Sequence, residues 1–282
     1  MRRAGLRLQI VFAGTVLIFL ALVMIAPVFY GLSRSFDANG LSLANYRKVL
    51  SDGFFWRAAA NNIILPVASL IVEFAVGLLL ALFLTSSRRT STLIQAAAIL
   101  PFAIPEIVLL SLARYIFMPR GYLNGALTAA GFHSLPWLAP NHPLALGTVV
   151  LVDAWHVTPI VMLILMAGLR TIPPELYEAA MLDGAGRVAT FRFVTLPMLR
   201  PALVGALVLR GVDALRIFST TLVLTGIEGV PVISTYAYQL YTDAQEPNVA
   251  MAASMLLAVL ITAFGVVGFA LSRQAAGAQE AF

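Results

Sequence analysis

Six apolar stretches constrain this chain more than any other feature: residues 10–30, 62–85, 93–117, 144–169, 201–225 and 251–271. Each reaches the about 20 residues an α-helix needs to cross a hydrocarbon core about 30 Å thick. In lipid a backbone must satisfy its own polar groups, so each stretch is expected to be a helix. Pro101 and Pro105 predict a kink or interruption in the third. The balance of residue types agrees: 60% are hydrophobic and 11% charged, where a soluble domain has about 25% charged residues. The apolar run of the first stretch is too long for a signal-peptide core. "APVFYGLSRSF" follows it without a small-x-small site, so a retained anchor helix is expected.

The net charge of +5 comes from arginines near the ends of these stretches, which points to lipid headgroups and away from nucleic acid. With the N-terminus in the cytoplasm, Arg2, Arg3, Arg7, Arg88, Arg89, Arg170, Arg187, Arg192, Arg200 and Arg273 lie inside. Arg34, Arg47, Lys48, Arg57 and Arg120 then lie outside. That asymmetry predicts a multi-pass protein of the cytoplasmic membrane with both termini cytoplasmic. The expected divisions are an anchor helix and outer loop over 1–60, a transmembrane core over 61–272 and a cytoplasmic tail over 273–282. No internal repeat is visible.

Several chemistries are excluded. Without cysteine there is no disulfide framework, thiolate metal site or cysteine nucleophile. The single lysine, Lys48, sits in "NYRKVL", so no G-x-x-x-x-G-K-[ST] loop can cradle nucleotide phosphates. There is no H-E-x-x-H, no G-x-S-x-G and no histidine pair at ligand spacing; His133 and His142 lack metal-ligand partners. The chain is therefore expected to be no enzyme and to hold neither metal nor cofactor.

Residues 175–199, "ELYEAAMLDGAGRVATFRFVTLPML", interrupt the apolar pattern between the fourth and fifth stretches, on the cytoplasmic side. Pro173 and Pro174 suit a first helical turn, and Glu175 and Glu178 place negative charge near its positive end. "ELYEAAMLD" predicts a little over two turns of helix, stopped at Gly184. A second short helix is expected through "RVATFRFV", ended by Pro197. Ala179 and Ala180 give the first helix a thin face that a groove on a neighbour could accept.

Glu178-Ala179-Ala180, then Asp183-Gly184-Ala185, then Phe191 and Leu196-Pro197, resemble the EAA loop of binding-protein-dependent ABC importer permeases. "LRTIPPELYEAA", "LTGIEGVPVISTYAYQLY" and "VAMAASM" resemble flanking stretches of the sugar-importer members. The overall pattern is similar to their compact six-span form. One departure is Glu228-Gly229-Val230-Pro231, where members often carry Gly-Gly-Pro. The resemblance implies an all-α fold with six spans and a cytoplasmic coupling helix between spans four and five. It implies import of a sugar or sugar-like solute (disaccharide, glycerol-phosphate ester or oligosaccharide) by alternating access. Implied partners are two copies of an ATP-binding subunit, a second permease of different sequence and an extracytoplasmic solute-binding protein.

Polar residues at bilayer depth tend to face a bundle interior or a watery path. Glu73, Glu106, Arg114, Asp153, Trp155, His156, Arg210, Asp213, Arg216 and Ser219 meet that description. Asp213 and Arg216, at i and i+3, can pair on one face, either to neutralise one another or to line the path. Glu73 with Arg114 is a second possible pair. Trp155 and His156 combine an aromatic face with hydrogen-bonding groups, as a sugar requires. The buried carboxylates Glu73, Glu106, Asp153 and Asp213 motivate the alternative of a proton-coupled secondary transporter, although such folds usually show repeats and more than six spans.

Overall fold

A computed structural model of the chain describes residues 2–36, 42–86 and 92–277. Arg88, Arg89 and the last five residues of the expected tail lie outside the described residues. The elements run α1 (Arg2–Ser35), α2 (Ala44–Ser51), α3 (Gly53–Ser86), α4 (Thr92–Ala103), α5 (Glu106–Phe117), α6 (Tyr122–Ala129) and α7 (Pro143–Arg170). They continue with α8 (Pro174–Leu182), α9 (Arg187–Thr190), a π turn (Phe191–Thr195), α10 (Leu196–Leu215), α11 (Ser219–Gly229), α12 (Ile233–Thr242) and α13 (Pro247–Gly277).

Among the described residues, five helical runs are long and apolar enough to cross a membrane, six if a bent pair counts as one span. In that pair, 93–103 and 106–129 meet at 90°. The break falls where the sequence placed it. Pro105 disfavours helical geometry at Ile104 and becomes the residue preceding α5, with ψ of 129°.

The fifth span departs from expectation. Its helical run covers Arg187–Leu215 instead of 201–225, and 219–229 form a separate helix. Pro197 does not end a short helix; it sits in the first turn of α10. A proline ring clashes with the carbonyl four residues back. Here the π turn has already widened the coil, with the Leu196 amide donating to the Phe191 carbonyl, so the chain continues through. The break after Leu215 is stabilised by distant side chains. Asn62 Nδ2 donates to the Leu215 carbonyl at 2.9 Å, and Ser234 Oγ donates to that of Ile217 at 2.6 Å.

Asn62 is fully buried, and its Oδ1 also accepts from the Ile233 amide at 3.1 Å. One amide side chain therefore closes the end of α10 and the start of α12. Asn62→Ala leaves a buried carbonyl and a buried amide unpaired, each costing about 1–3 kcal/mol. A clear fall in the thermal unfolding midpoint in detergent is expected; an unchanged midpoint would remove Asn62 from this role.

The core is organised around α3 and α7, the most extensively paired helices. One buried cluster joins Leu65 of α3, Leu110 of α5, Val149 of α7 and Leu224 of α11. A second, at the far ends of α3 and α7, includes Leu84, Leu165 and Leu169, with Leu199 of α10. There α7 meets α10 at Gly168, where a Cβ would lie 2.5 Å from that of Ala202. Helix α1 packs on α13 and leaves its apolar surface exposed, as an anchor in lipid would.

Candidate functional site

Two features stand out: a projecting stub at one end of the bundle and a buried charge cluster within it. The stub is α8. Pro173 precedes it, Pro174 opens it and Glu175 lies in its first turn. Its end follows from hydrogen bonding. Gly184 adopts φ of +74°, its amide donates to the Met181 carbonyl at 3.1 Å, and the Ala185 amide donates to that of Ala180 at 2.9 Å. These two bonds form a Schellman stop, which favours glycine at the left-handed position.

Glu178, Ala179 and Asp183 are exposed. Met181 and Leu182 project beside them, 67% and 89% exposed, with Val188 at 81% in the next turn. Ala180 differs from the expected thin face. It points into its own chain and is buried, because adjacent helical residues stand about 100° apart. Ala185, Phe191, Leu196 and Pro197 are partly buried on the route back into α10.

Arg210 is the centre of the charge cluster. Its side chain is 3% exposed and grips Glu73, itself fully buried, through Nε–Oε2 at 2.9 Å and Nη2–Oε1 at 2.8 Å. Nη1 donates to Asp213 Oδ2, and Asp153 Oδ2 lies 3.6 Å from Nη2. Two expected pairs are thereby corrected. Asp213 pairs with Arg210 and not with Arg216, because Arg216 has left the helix as its capping residue. Glu73 pairs with Arg210 and not with Arg114, which donates instead to the Val223 carbonyl. The forked geometry matches a guanidinium to a carboxylate by two parallel bonds.

The cluster grades from sealed to open. Glu73 is shut away, Asp153 is 12% exposed and Asp213 is 63% exposed. Asp213, in the last turn of α10, is the one open carboxylate of the three that surround Arg210. Trp155 is 53% exposed, Arg216 is exposed, His156 is partly buried against Phe102, and Ser219 opens α11. Sequence inspection found Arg210 and Glu73 as buried polar residues but not as partners. Asn62 and Tyr177, which organise the surroundings, carried no signal beyond being polar near apolar runs.

Comparison with known proteins agrees with this geometry. Residues 73–274 match the family described as binding-protein-dependent transport system inner membrane component. The chain is 33% identical over 262 residues to the trehalose/maltose transport system permease protein MalF of Thermococcus litoralis, covering 89% of this chain and 88% of that one. It is 34% identical over 235 residues to the trehalose transport system permease protein SugA of Mycobacterium tuberculosis, covering 80% and 75% respectively. In fold it resembles a chain of a bacterial ABC transporter involved in import of the acidic polysaccharide alginate. That match has a TM-score of 0.85 and 24% identity, over 96% of this chain and 98% of the other. By its sequence and its helical architecture the chain belongs to the binding-protein-dependent transport system inner membrane component family, as a permease subunit of an ABC importer.

Proposed function

We propose that this permease carries a sugar or sugar-like solute (disaccharide, glycerol-phosphate ester or oligosaccharide) into the cytoplasm by alternating access, driven by two copies of a separate ATP-binding subunit. The observation that carries the reading is α8, a short helix with a glycine stop and an exposed apolar tip of Met181 and Leu182. Such a tip is unfavourable in water and suits a groove on another protein. The lack of a nucleotide-cradling lysine motif in these 282 residues supports placing the motor on a different chain.

In this reading Glu178, Ala179, Ala180, Asp183, Gly184, Ala185, Phe191, Leu196 and Pro197 form the coupling segment on the cytoplasmic side, where both termini also lie. A second permease of different sequence completes the path, and an extracytoplasmic binding protein delivers the solute. Asp153, Trp155, His156, Asp213, Arg216 and Ser219 line this chain's share of the path. Similarity to permease proteins of trehalose/maltose and trehalose transport systems supports the sugar class.

The test is to purify the chain with its co-purifying subunits, reconstitute them with the binding protein and measure ATP hydrolysis. The panel is trehalose, maltose, glycerol 3-phosphate and a maltooligosaccharide. Stimulation by at least one is expected. Uptake that follows a proton gradient and ignores ATP depletion would instead favour the secondary-transporter alternative.

A further inference from the structure

A coupling stub is useful only if a load on it reaches the spans, and few groups here can carry that load. Along α8, Glu175, Leu176, Glu178, Ala179, Met181 and Leu182 are exposed. Tyr177 and Ala180, three residues apart on one helical face, turn inward. Ala180 contributes only a methyl group. The Tyr177 ring packs against the buried cluster to which α3, α7 and α10 all contribute, Leu84, Leu169 and Leu199 among its members. Its hydroxyl lies 3.4 Å from Thr195 Oγ1, and Thr195 is 5% exposed in the π turn at the root of α10.

The entry to α8 through Pro173 and Pro174 is short and stiff, and the exit is the looser of its two covalent connections. The exit passes through Gly184 and Gly186, which lack the side chains that would stiffen it. The π turn is itself a device found at functional positions, because a wide i to i+5 coil can shift register without losing the helix.

We infer that the Tyr177 ring is the mechanical linkage between the coupling stub and the bundle. This inference rests on the coupling role proposed above. Motion of α8 under an attached motor presses the ring against the joint base of α3, α7 and α10, and those three helices move together. Tyr177 is a positioning residue in this scheme; it meets neither solute nor nucleotide.

The test compares wild type, Tyr177→Ala, Tyr177→Leu and Tyr177→Phe in the complete reconstituted importer. ATP hydrolysis and uptake of radiolabelled trehalose, or of whichever panel compound wild type accepts, are measured together. For Tyr177→Ala the solute delivered per ATP hydrolysed should fall about tenfold, the scale of a typical coupling free energy, while hydrolysis persists. Tyr177→Leu, which keeps apolar contact over a shorter reach, should fall between, and Tyr177→Phe should retain the wild-type ratio. A wild-type ratio in Tyr177→Ala overturns the inference, as does an equal loss of uptake and hydrolysis, or a Tyr177→Phe as uncoupled as alanine. If alanine prevents assembly, the leucine and phenylalanine variants decide alone. A wild-type importer without ATP-driven uptake fails the parent reading, in an arm of the assay separate from the variants.

Discussion

Arg210→Met is expected to destabilise the bundle by about 3–5 kcal/mol, the cost of removing one partner from a buried ion pair. The magnitude follows from the residue left behind. Glu73 is fully buried and has both carboxylate oxygens on the Arg210 fork, so the substitution strands a charge where water cannot reach it. The exposed Asp213 adds little to this cost, because solvent screens a pair with one open member. Arg210→Lys keeps the charge but not the planar fork, and should recover only part of the loss. Glu73→Gln combined with Arg210→Met removes the stranded charge and should restore much of the stability. Thermal unfolding and monodispersity in detergent measure all three. An Arg210→Met chain as stable as wild type, or a double variant no better than the single, would mean that this pair does not hold α3 to α10.

Glu178→Lys and Gly184→Val should each abolish ATP-driven uptake while leaving membrane insertion intact, for different reasons. Glu178 is exposed, so reversing its charge threatens docking and not folding. Gly184 has open space around the position of a Cβ, so crowding is not the issue; its φ of +74° is. A β-branched residue there pays about 1–2 kcal/mol for the left-handed conformation, enough to make the helix stop give way. The stub would then lose its aim. Gly184→Asn, which tolerates that conformation, should keep substantial transport and so separates backbone strain from mere substitution. Uptake is read in proteoliposomes and insertion by protease protection. Normal uptake in Glu178→Lys would place the coupling contact elsewhere.

The division between what was legible and what was not runs along a physical line. The break at Pro105, the glycine stop after α8 and the approximate positions of the spans other than the fifth were readable in advance. Each depends on residues that are continuous in sequence: a ring that forbids a helical neighbour, a φ that only glycine takes easily, a run of apolar side chains long enough for a bilayer. Span five was misjudged because its two boundaries depend on other things. Its start needed a π turn to absorb Pro197, and its end needed Asn62 and Ser234 to satisfy carbonyls exposed by the break.

The charge cluster makes the same point. Spacing suggested Asp213 with Arg216, and opposite charge within apolar stretches suggested Glu73 with Arg114. Arg210 won both carboxylates because the packing of α3, α7 and α10 brings it to Glu73 across 137 residues of chain, while Arg216 falls outside the helix. The sequence by itself determined that this chain is a bundle of membrane helices, with a short interrupted segment between two of them and no nucleotide loop of its own, since those properties are local. Which face of α8 turns inward, where the fifth span breaks and which cation neutralises Glu73 were decided only by tertiary structure, because each is a contest between partners that meet only after the helices have packed.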